Sequence, residues 1–302
     1  MTPLRLGTRG SPLALAQAHL TRDALVAAYP GLVVEIVPIR TTGDKVQDRP
    51  LAEIGGKALW TKELDRALLA GEIDCAVHSM KDVETIRPET IAIAAMLPRA
   101  DVRDRLVGAL SLEALPPGAR IGTSSPRRAA QVRSIRPDLT PVMFRGNVDT
   151  RLAKLAAGEA EATLLAAAGL DRLGRSDIGV PIALDEMLPA PAQGAVGIEC
   201  RTDDRATRDR LAAIDHPVTH ACVLAERALL AALDADCHSP VAALARIEGA
   251  VLTIDAMLYA GDGSEHVAGQ EHGAPGDTAV SVTLAARLLA RAPDAVRRLF
   301  AG

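Results

Sequence analysis

Basic side chains recur in this sequence where a strand-like segment ends or a helix-like segment begins. They are Arg9, Lys57, Lys81, Arg127, Arg128, Arg145, Arg151 and Arg172. In a parallel α/β sheet the carboxyl ends of strands and the N-termini of helices gather at one edge, and helix N-termini favour anions. Any one of these cations alone is typical of a solvated surface. Their recurrence at the same kind of junction in both halves of the α/β region predicts a ligand with several carboxylates or phosphates, bound between two domains.

Two other side chains have the chemistry of reacting groups. Asp82 follows an apolar strand-like segment in "VHSMKDV" and has Lys81 beside it, so its carboxylate should stay ionised. It could stabilise a developing cation or move a proton, although a helix cap or a structural ion pair explains the same heptapeptide equally well. Cys237 lies in the polar loop "ALDADCHSP", whereas the other cysteines have strand or helix contexts. An exposed loop thiol is a candidate nucleophile or covalent attachment point.

Two further motifs are incomplete. Gly55-Gly56-Lys57 lacks the spacing and the following Ser or Thr of a nucleotide-binding loop. His216, His220 and Cys222 lie close together in sequence, but no second cluster completes a metal site. We therefore predict neither a nucleotide nor a metal.

The composition excludes several classes of protein. With 302 residues, 48% hydrophobic and 24% charged, the chain is typical of a globular protein of two or three domains. A net charge of -4 gives no general attraction to nucleic acid. No apolar run reaches the roughly 20 residues that span a bilayer, and "MTPLRLGTRG" lacks the apolar segment of a signal peptide. We expect a cytoplasmic protein in which all four cysteines are free thiols.

The elements that must position these residues alternate between strands and helices. Strands are predicted at 4–8, 33–39, 73–77, 119–123, 141–144, 162–167 and 195–200, and helices from 12, at about 58–70, from 126, at 147–157 and at about 218–233. Hairpin-like strands at 241–246, 251–259 and 266–270 precede a helix from about 278. This order predicts two α/β domains with parallel sheets and a smaller α+β part at the C-terminal end.

Eight motifs resemble the porphobilinogen deaminase family over essentially the whole chain. In order they are "TRGSPLALAQ", "GGKALWTKEL", "AVHSMKDV", "GTSSPRRAAQ", "RGNVDTRLAKL", "AAGLDRLG", "QGAVGIECR" and the loop that bears Cys237. The resemblance implies an α/β fold of two periplasmic-binding-protein-like lobes plus a smaller α+β C-terminal domain. It places domain 1 at 1–98 and 195–215, domain 2 at 99–194 and domain 3 at 216–302.

The resemblance also implies an activity in tetrapyrrole (porphyrin and haem) biosynthesis. The family joins four porphobilinogen molecules head to tail with loss of ammonia and releases hydroxymethylbilane. Its primer is a dipyrromethane cofactor bound through a thioether to the position that matches Cys237. Every pyrrole carries an acetate and a propionate, which suits a cation-rich site. The implied partner is this small-molecule substrate alone, with no nucleic acid and no membrane, and the implied state is a monomer.

Roles for individual residues follow from the resemblance. Asp82 matches the catalytic aspartate, which would stabilise the cationic azafulvene left when ammonia departs. The implied cofactor-binding residues are Cys237, Ser79, Lys81, Asp82, Thr123, Ser125, Arg127, Arg128, Arg145 and Gly146. The implied substrate-binding residues are Arg9, Ser11, Lys57, Arg151, Arg172 and Gln193. Trp60 is expected either to stack on the pyrroles or simply to pack.

Four places depart from the family pattern: Ala235-Asp236 for a Gly-Gly pair, Glu53 for lysine, Glu84 for proline and Pro126 for leucine. Because alanine disfavours positive φ, we expect the cysteine loop to follow a different path. Two other classes of protein share the fold: a non-catalytic anion-binding protein and the effector domain of a transcription factor. A binding protein needs neither Asp82 nor Cys237, and no helix-turn-helix segment or basic patch favours the transcription factor.

Overall fold

Two five-stranded sheets with one shared strand order organise the α/β part of the chain. The computed structural model describes residues 3–40 and 61–300. The chain divides into two compact units: unit 1 is Met1–Ala100 with Gly194–His220, and unit 2 is Asp101–Gln193 with Ala221–Gly302.

The described residues form strands and helices with the following bounds. The strands are β1 (Leu4–Arg9), β2 (Val34–Ile39), β3 (Cys75–Ser79), β4 (Ile91–Met96), β5 (Asp104–Val107), β6 (Arg120–Gly122), β7 (Thr140–Val142), β8 (Ala162–Ala166), β9 (Val180–Pro181), β10 (Val196–Arg201), β11 (Val241–Glu248), β12 (Val251–Tyr259) and β13 (His266–Gly273). The helices are α1 (Pro12–Ala28), α2 (Lys62–Leu69), α3 (Pro126–Ile135), α4 (Val148–Ala156), α5 (Ala167–Arg172), α6 (Arg205–Ala212), α7 (Pro217–Ala232), α8 (Ala279–Arg291) and α9 (Asp294–Arg297). A 3-10 turn spans Met80–Asp82.

Sheet 1 belongs to unit 1 and has the order β2-β1-β3-β10-β4. Its first three strands are parallel, and β10 runs antiparallel to both β3 and β4. Leu6 packs with Leu25 of α1 on one face, while Ala76 packs with Leu68 of α2 on the other. Because both faces are covered, the strands read as apolar runs. The carboxyl ends of β1, β2 and β3 lie at one edge.

Sheet 2 repeats this arrangement in unit 2 with the order β7-β6-β8-β5-β9. The strands β7, β6 and β8 are parallel, and β5 runs antiparallel to both β8 and β9. The antiparallel fourth strand of each sheet comes soon after the chain passes from one unit to the other, at Ala100–Asp101 for β5 and Gln193–Gly194 for β10. The predicted α/β architecture is confirmed. The prediction of parallel sheets is wrong in part, because the fourth strand of each sheet runs antiparallel to both of its neighbours.

Sheet 3 forms the smaller α+β part predicted at the C-terminal end. It is the antiparallel meander β11-β12-β13, whose core includes Leu229 of α7, Ile254 of β12 and Leu284 of α8. The turn after β12 approaches α3 so closely that a Cβ on Gly263 would lie 2.4 Å from the carbonyl oxygen of Ala130. Glycine is required there for this reason and because its φ is +76°.

Several predicted elements differ from the observed ones. The strand predicted at 141–144 ends at Val142, and Phe144 lies beyond it as a buried side chain. The strands β4 and β5 and the helix α6 were not predicted. The start of the helix predicted at about 58 lies outside the described residues, and so do Glu53, Lys57 and Trp60. The three-domain boundaries stay a prediction. Over the described residues, no helix has the length and apolar character needed to cross a membrane.

Candidate active site

The junction between β1 and α1 has the cap that its sequence predicts. The Ser11 hydroxyl accepts a hydrogen bond from the Ala14 backbone N–H at 3.3 Å, and Pro12 occupies the first helical position. Both features suit a helix N-terminus, where the N–H groups otherwise lack partners. Arg9, the last residue of β1, is half-buried at this edge of sheet 1. Arg9 and Ser11 therefore flank a helix end that favours anions.

The junction after β3 carries Asp82. The Met80 N–H donates to the Ala195 carbonyl oxygen at 3.1 Å and Met80 is buried, which fixes the start of the 3-10 turn. Ser79 contacts the side-chain amide of Gln17 on α1, with its hydroxyl 2.8 Å from Nε2. The turn leaves Asp82 half-buried. Among the described residues, no hydrogen bond or ion pair engages its carboxylate, so the acceptor capacity of Asp82 is available to a ligand.

The two strands that lead into these junctions, β1 and β3, are neighbours in sheet 1. In the parallel pairing of β1 with β3, Leu6 lies opposite Cys75 and Gly7 opposite Ala76. Both strands therefore end at the same edge. The structure thus brings together the predicted unit 1 residues: Arg9, Ser11, Ser79, Lys81 and Asp82.

The junction between β6 and α3 in sheet 2 has a similar cap. The Ser125 hydroxyl accepts from the Arg128 backbone N–H at 3.4 Å, and Pro126 is the first helical residue. The Thr123 hydroxyl accepts from the Ser125 N–H at 3.1 Å. Proline is tolerated at this position, because the N–H that it lacks has no partner within the helix.

Three predicted ligand contacts in unit 2 have a shared protein partner, Asp104. One carboxylate oxygen of Asp104 accepts from Arg127 Nη2 at 2.7 Å, and the other accepts from Arg128 Nη2 at 2.7 Å. The second oxygen also accepts from Gln193 Nε2 at 2.8 Å. All four side chains are buried. We call them the Asp104 cluster.

The Asp104 cluster has an excess of positive charge. Burial opposes the charge on Asp104, but the neighbouring Arg127 and Arg128 outweigh it and hold the pKa of that carboxyl well below its usual range. Burial also lowers the pKa of Arg127, and the neighbouring Arg128 acts in the same direction. The attraction of Asp104 opposes both but does not offset them. Within residues 3–40 and 61–300, the buried Nε atoms of both arginines have no hydrogen-bond partner. Such a cluster favours an additional anion.

Sequence reasoning did not identify Asp104. In "DVRDRLV" it reads as one acidic residue among charged neighbours at the start of a short strand. Its partners lie 23, 24 and 89 residues away in sequence, so spacing carried no signal.

The segment after β7 carries a second group of cations. Arg145 is half-buried, and its buried Nη1 atom has no hydrogen-bond partner among the described residues. Gly146 has φ +106°, and a Cβ there would lie 2.6 Å from the Thr150 side chain, so glycine is required. The Gly146 carbonyl oxygen accepts from Arg151 Nε at 3.0 Å, and Ser124 Oγ accepts from Arg151 Nη2 at 3.1 Å. These bonds join the two loops that follow β6 and β7.

Arg172 lies on α5, which begins directly after β8. Burial lowers its pKa, although the nearby Asp171 acts in the opposite direction. The strands β6, β7 and β8 are parallel, so these basic residues follow the same edge of sheet 2. The structure therefore gathers the predicted unit 2 cations at the carboxyl ends of three strands.

The loop that bears Cys237 begins at a Schellman motif. The Asp234 N–H donates to the Ala231 carbonyl at 3.2 Å and the Ala235 N–H to the Leu230 carbonyl at 2.9 Å. The left-handed residue is Asp234, with φ 48°, so Ala235 avoids positive φ and is buried instead. The left-handed conformation thus lies at Asp234 and not at Ala235, and the different loop path expected from Ala235 stays a prediction.

Cys237 itself lies in a hydrogen-bonded turn. The Asp236 carboxylate accepts from the His238 N–H at 2.8 Å, and the Ser239 N–H donates to the Asp236 carbonyl at 3.1 Å. The turn leaves Cys237 exposed. The three other cysteines are buried, as predicted.

In the part of the chain that the structure describes, no group of three or more His, Cys, Asp or Glu side chains could hold a metal ion.

Comparison with known proteins adds the family. Residues 4–209 match the family model described as "Porphobilinogen deaminase, dipyromethane cofactor binding domain", and residues 220–290 match "Porphobilinogen deaminase, C-terminal domain". Porphobilinogen deaminase of Sphingopyxis alaskensis is 61% identical, covering 99% of this chain and 97% of that protein. The Paracoccus denitrificans porphobilinogen deaminase is 53% identical, covering 96% and 95%. Among solved structures, a TRAP periplasmic solute binding protein from Desulfovibrio salexigens is 12% identical, with TM-score 0.43, covering 70% of this chain and 72% of that one.

The chain belongs to the porphobilinogen deaminase family. It includes the family's dipyrromethane cofactor binding domain. The resemblance inferred from the eight motifs is confirmed.

Proposed function

We propose that this chain is the transferase hydroxymethylbilane synthase, which joins four porphobilinogen molecules on a dipyrromethane primer. In each addition the C–N bond of the substrate's aminomethyl group breaks and ammonia leaves. A C–C bond then forms between that methylene carbon and the free α-carbon of the terminal pyrrole, which loses its proton. On release, the C–C bond between the dipyrromethane and the methylene carbon of the first added unit breaks. Water then supplies the hydroxyl group on that methylene carbon, and the α-carbon of the primer regains a proton.

One observation above all supports this activity: Cys237 is exposed while the other three cysteines are buried. A covalent anchor must be accessible, because its sulfur has to reach the methylene carbon of the incoming group. Burial raises the pKa of the Cys200 thiol to about 11 and also raises that of Cys75, so these two thiols are poor nucleophiles. Cys237 is therefore the residue that we assign to the thioether.

The donors of unit 2 suit the carboxylates of a dipyrromethane. That group carries two acetates and two propionates, so it needs several cationic donors. Arg145 supplies a buried Nη1 atom that no side chain or backbone group of the described residues engages, and the Asp104 cluster has one guanidinium in excess. An Arg donor in such a position forms strong, charge-assisted hydrogen bonds with a carboxylate. When bound, the dipyrromethane supplies the pyrrole carbon on which the chain grows.

The remaining predicted contacts complete this assignment. Thr123, Ser125, Gly146 and Arg151 lie around the β6 and β7 loops and would bind further carboxylate oxygens. Gln193 and Arg128 orient the Asp104 carboxylate and, through it, Arg127. In unit 1, Arg9 and Ser11 would bind the acetate and propionate of the substrate, aided by the N-terminus of α1. Ser79 and Lys81 would bind the cofactor.

Asp82 is the residue that we propose for the chemistry. Loss of ammonia leaves positive charge on the pyrrole, and a nearby carboxylate stabilises that charge. Asp82 can also accept a hydrogen bond from the pyrrole N–H and help to remove the α-proton after coupling. The open acceptor capacity of its carboxylate within the described residues supports this role.

Intact-protein mass spectrometry tests the proposed function. Wild-type protein should carry one dipyrromethane, Cys237→Ala should carry none, and Cys222→Ala is the matched control that should keep the adduct. Incubation with porphobilinogen should then add pyrrole units to wild type and to the control. An unmodified wild type that takes up no porphobilinogen would reject the proposal.

We also propose that the chain acts as a monomer in the cytoplasm, on porphobilinogen alone, with no nucleic acid or membrane as partner. A reducing compartment suits a chain whose four cysteines form no disulfide and whose exposed Cys237 must stay reduced until the cofactor is attached. Light scattering after size exclusion should give the mass of one chain, and a dimer mass would contradict that part of the proposal.

A further inference from the structure

The loop between β3 and β4 carries a second buried ionic cluster, directly after Asp82. Its centre is Arg87, whose side chain is 8% exposed, and its main partner is Glu199 of β10, whose side chain is fully buried. Two more carboxylates, those of Asp65 and Glu84, bind the same guanidinium. We call these four residues the Arg87 cluster.

The bonds of the Arg87 cluster are short and well aligned. Arg87 Nε donates to Glu199 Oε1 at 2.8 Å, and Nη2 donates to Glu199 Oε2 at 2.9 Å, which is a bidentate pair. Nη1 donates to Glu84 at 2.7 Å, and Nη2 also donates to Asp65 on α2 at 2.6 Å. Glu84 accepts in addition from the Thr61 hydroxyl at 2.7 Å.

Both ends of the segment that carries Asp82 are fastened to β10. On the upstream side, β3 pairs with β10, with Ser79 opposite Val196. On the downstream side, Arg87 binds Glu199 of the same strand. The residues from 80 to 86 therefore form a closed loop with both ends on one strand, and Asp82 lies inside it.

Apolar packing anchors the first half of this loop but not the second. Met80 and Val83 are buried, whereas Ile86 is 73% exposed. Among the contacts between described residues, the polar contacts of Arg87 and Glu84 connect the downstream half to sheet 1 and its helix α2. Glu199 is charged in this setting: burial opposes its charge, but His78 and Arg87 outweigh it and lower its pKa to about 2.

We infer that Arg87, together with Glu199 and Glu84, is a positioning residue for Asp82. The cluster fixes the downstream end of the loop and so sets where the carboxylate meets the reacting pyrrole. This inference rests on the proposed function. A catalytic group that is displaced by about 1 Å can lose on the order of a hundredfold in rate, so the loss of Arg87 should reduce turnover without removing Asp82.

The test compares Arg87→Met, which keeps the side-chain length, with Arg87→Lys, which keeps the charge but not the bidentate fork. The control is Arg66→Met on α2, where the arginine is 67% exposed and pairs with Glu72. We expect Arg87→Met to keep the Cys237 adduct and its KM, while kcat falls by about 10- to 100-fold. Arg87→Lys should recover part of kcat, and the control should match wild type.

A kcat of Arg87→Met equal to wild type, in folded protein that carries the adduct, would overturn the inference. If that variant does not fold, Glu84→Gln replaces it, because this partner is 20% exposed and its loss leaves the pair of Arg87 with Glu199 intact. Glu84→Gln should then lower kcat to a smaller degree at unchanged KM, and an unchanged kcat would overturn the inference equally. A wild type without adduct and turnover would instead reject the proposed function.

Discussion

Sheets 1 and 2 have the same strand order, and each carries a buried carboxylate on its fourth strand. The carboxylate of sheet 1 has further carboxylates near it, whereas the carboxylate of sheet 2 lies between two guanidinium groups. Glu199 lies on β10 and Asp104 on β5, and each of these is the fourth strand, antiparallel to both neighbours. Glu199 shares one guanidinium with two further carboxylates. Asp104 lies between Arg127 and Arg128.

The difference separates two uses of a buried charge. The Arg87 cluster has more carboxylates than cations, so it has no reason to attract an anionic ligand, and its bonds instead hold the loop that carries Asp82. The Asp104 cluster has more cations than carboxylates, so an additional anion improves its charge balance. We therefore propose that unit 1 positions the reacting group and that unit 2 binds carboxylates. Strand order alone predicts neither use.

The largest effect should come from the reacting group in unit 1. Asp82→Asn keeps the size of the side chain but removes the negative charge that we assign to stabilising the pyrrole cation. We expect kcat to fall by about 10²- to 10⁴-fold with the Cys237 adduct retained. Single-turnover assays with porphobilinogen, followed by intact mass, measure this step. A normal rate in Asp82→Asn would reject the assignment and with it the division of roles between the units.

Stability should separate the two buried carboxylates. Asp104→Asn leaves two buried guanidinium groups without a carboxylate, and we expect a loss of about 3–5 kcal/mol in the free energy of unfolding. Glu199→Gln leaves Arg87 with two other carboxylates, and we expect the smaller loss of about 2–3 kcal/mol. Urea unfolding of the two variants measures the difference. A larger loss for Glu199→Gln would contradict the charge balance described for the two clusters.

Acid titration should show the contribution of Glu199. Its pKa in the folded protein is about 2, below the ordinary value of 4.5, so its stabilising effect is complete above about pH 4.5 and is lost as the pH falls towards 2. That shift corresponds to about 3 kcal/mol. The unfolding free energy of wild type should therefore fall more steeply than that of Glu199→Gln between pH 5 and pH 3. Parallel curves for the two proteins would contradict the lowered pKa.

Local features of the site were predictable from the sequence, because their cause is local. The Ser-Pro pairs at Ser11 and Ser125 predicted two helix N-termini, and both serines cap as expected. The polar context of Cys237 predicted its exposure. The alternation of apolar strands and helices predicted both α/β sheets.

Long-range charge pairing was not predictable, because its cause is tertiary. Arg87 and Glu199 are 112 residues apart, and the sequence around each is typical of a surface segment or an apolar strand. Asp104 reads equally well as a solvated side chain. A single sequence does not indicate which basic residues already bind a carboxylate of the protein itself. The predicted set of ligand contacts therefore included Arg127, whose Nη atoms both have protein partners.

Some basic side chains of unit 2 already bind protein groups, whereas another has an open donor. This difference gives the smallest predicted effect and the sharpest comparison within unit 2. Arg145 has a buried Nη1 atom without a partner in the part of the chain that the structure describes, and we expect it to bind a ligand carboxylate directly. Arg145→Gln should raise KM or weaken retention of the dipyrromethane by about 10- to 100-fold, because a hydrogen bond to a charged group contributes about 1.5–3 kcal/mol. Thermal unfolding of the ligand-free protein should change little.

Arg120→Gln is the matched control, since this exposed arginine of β6 pairs with Glu161 and not with the site. Arg127→Gln should behave in the opposite way to Arg145→Gln, with a loss of stability that exceeds the loss of affinity, because it leaves Asp104 with one guanidinium fewer. Equal effects on affinity from Arg145→Gln and Arg120→Gln would show that the unpaired Nη1 atom faces no ligand. The positive excess in unit 2 would then serve the fold rather than carboxylate binding.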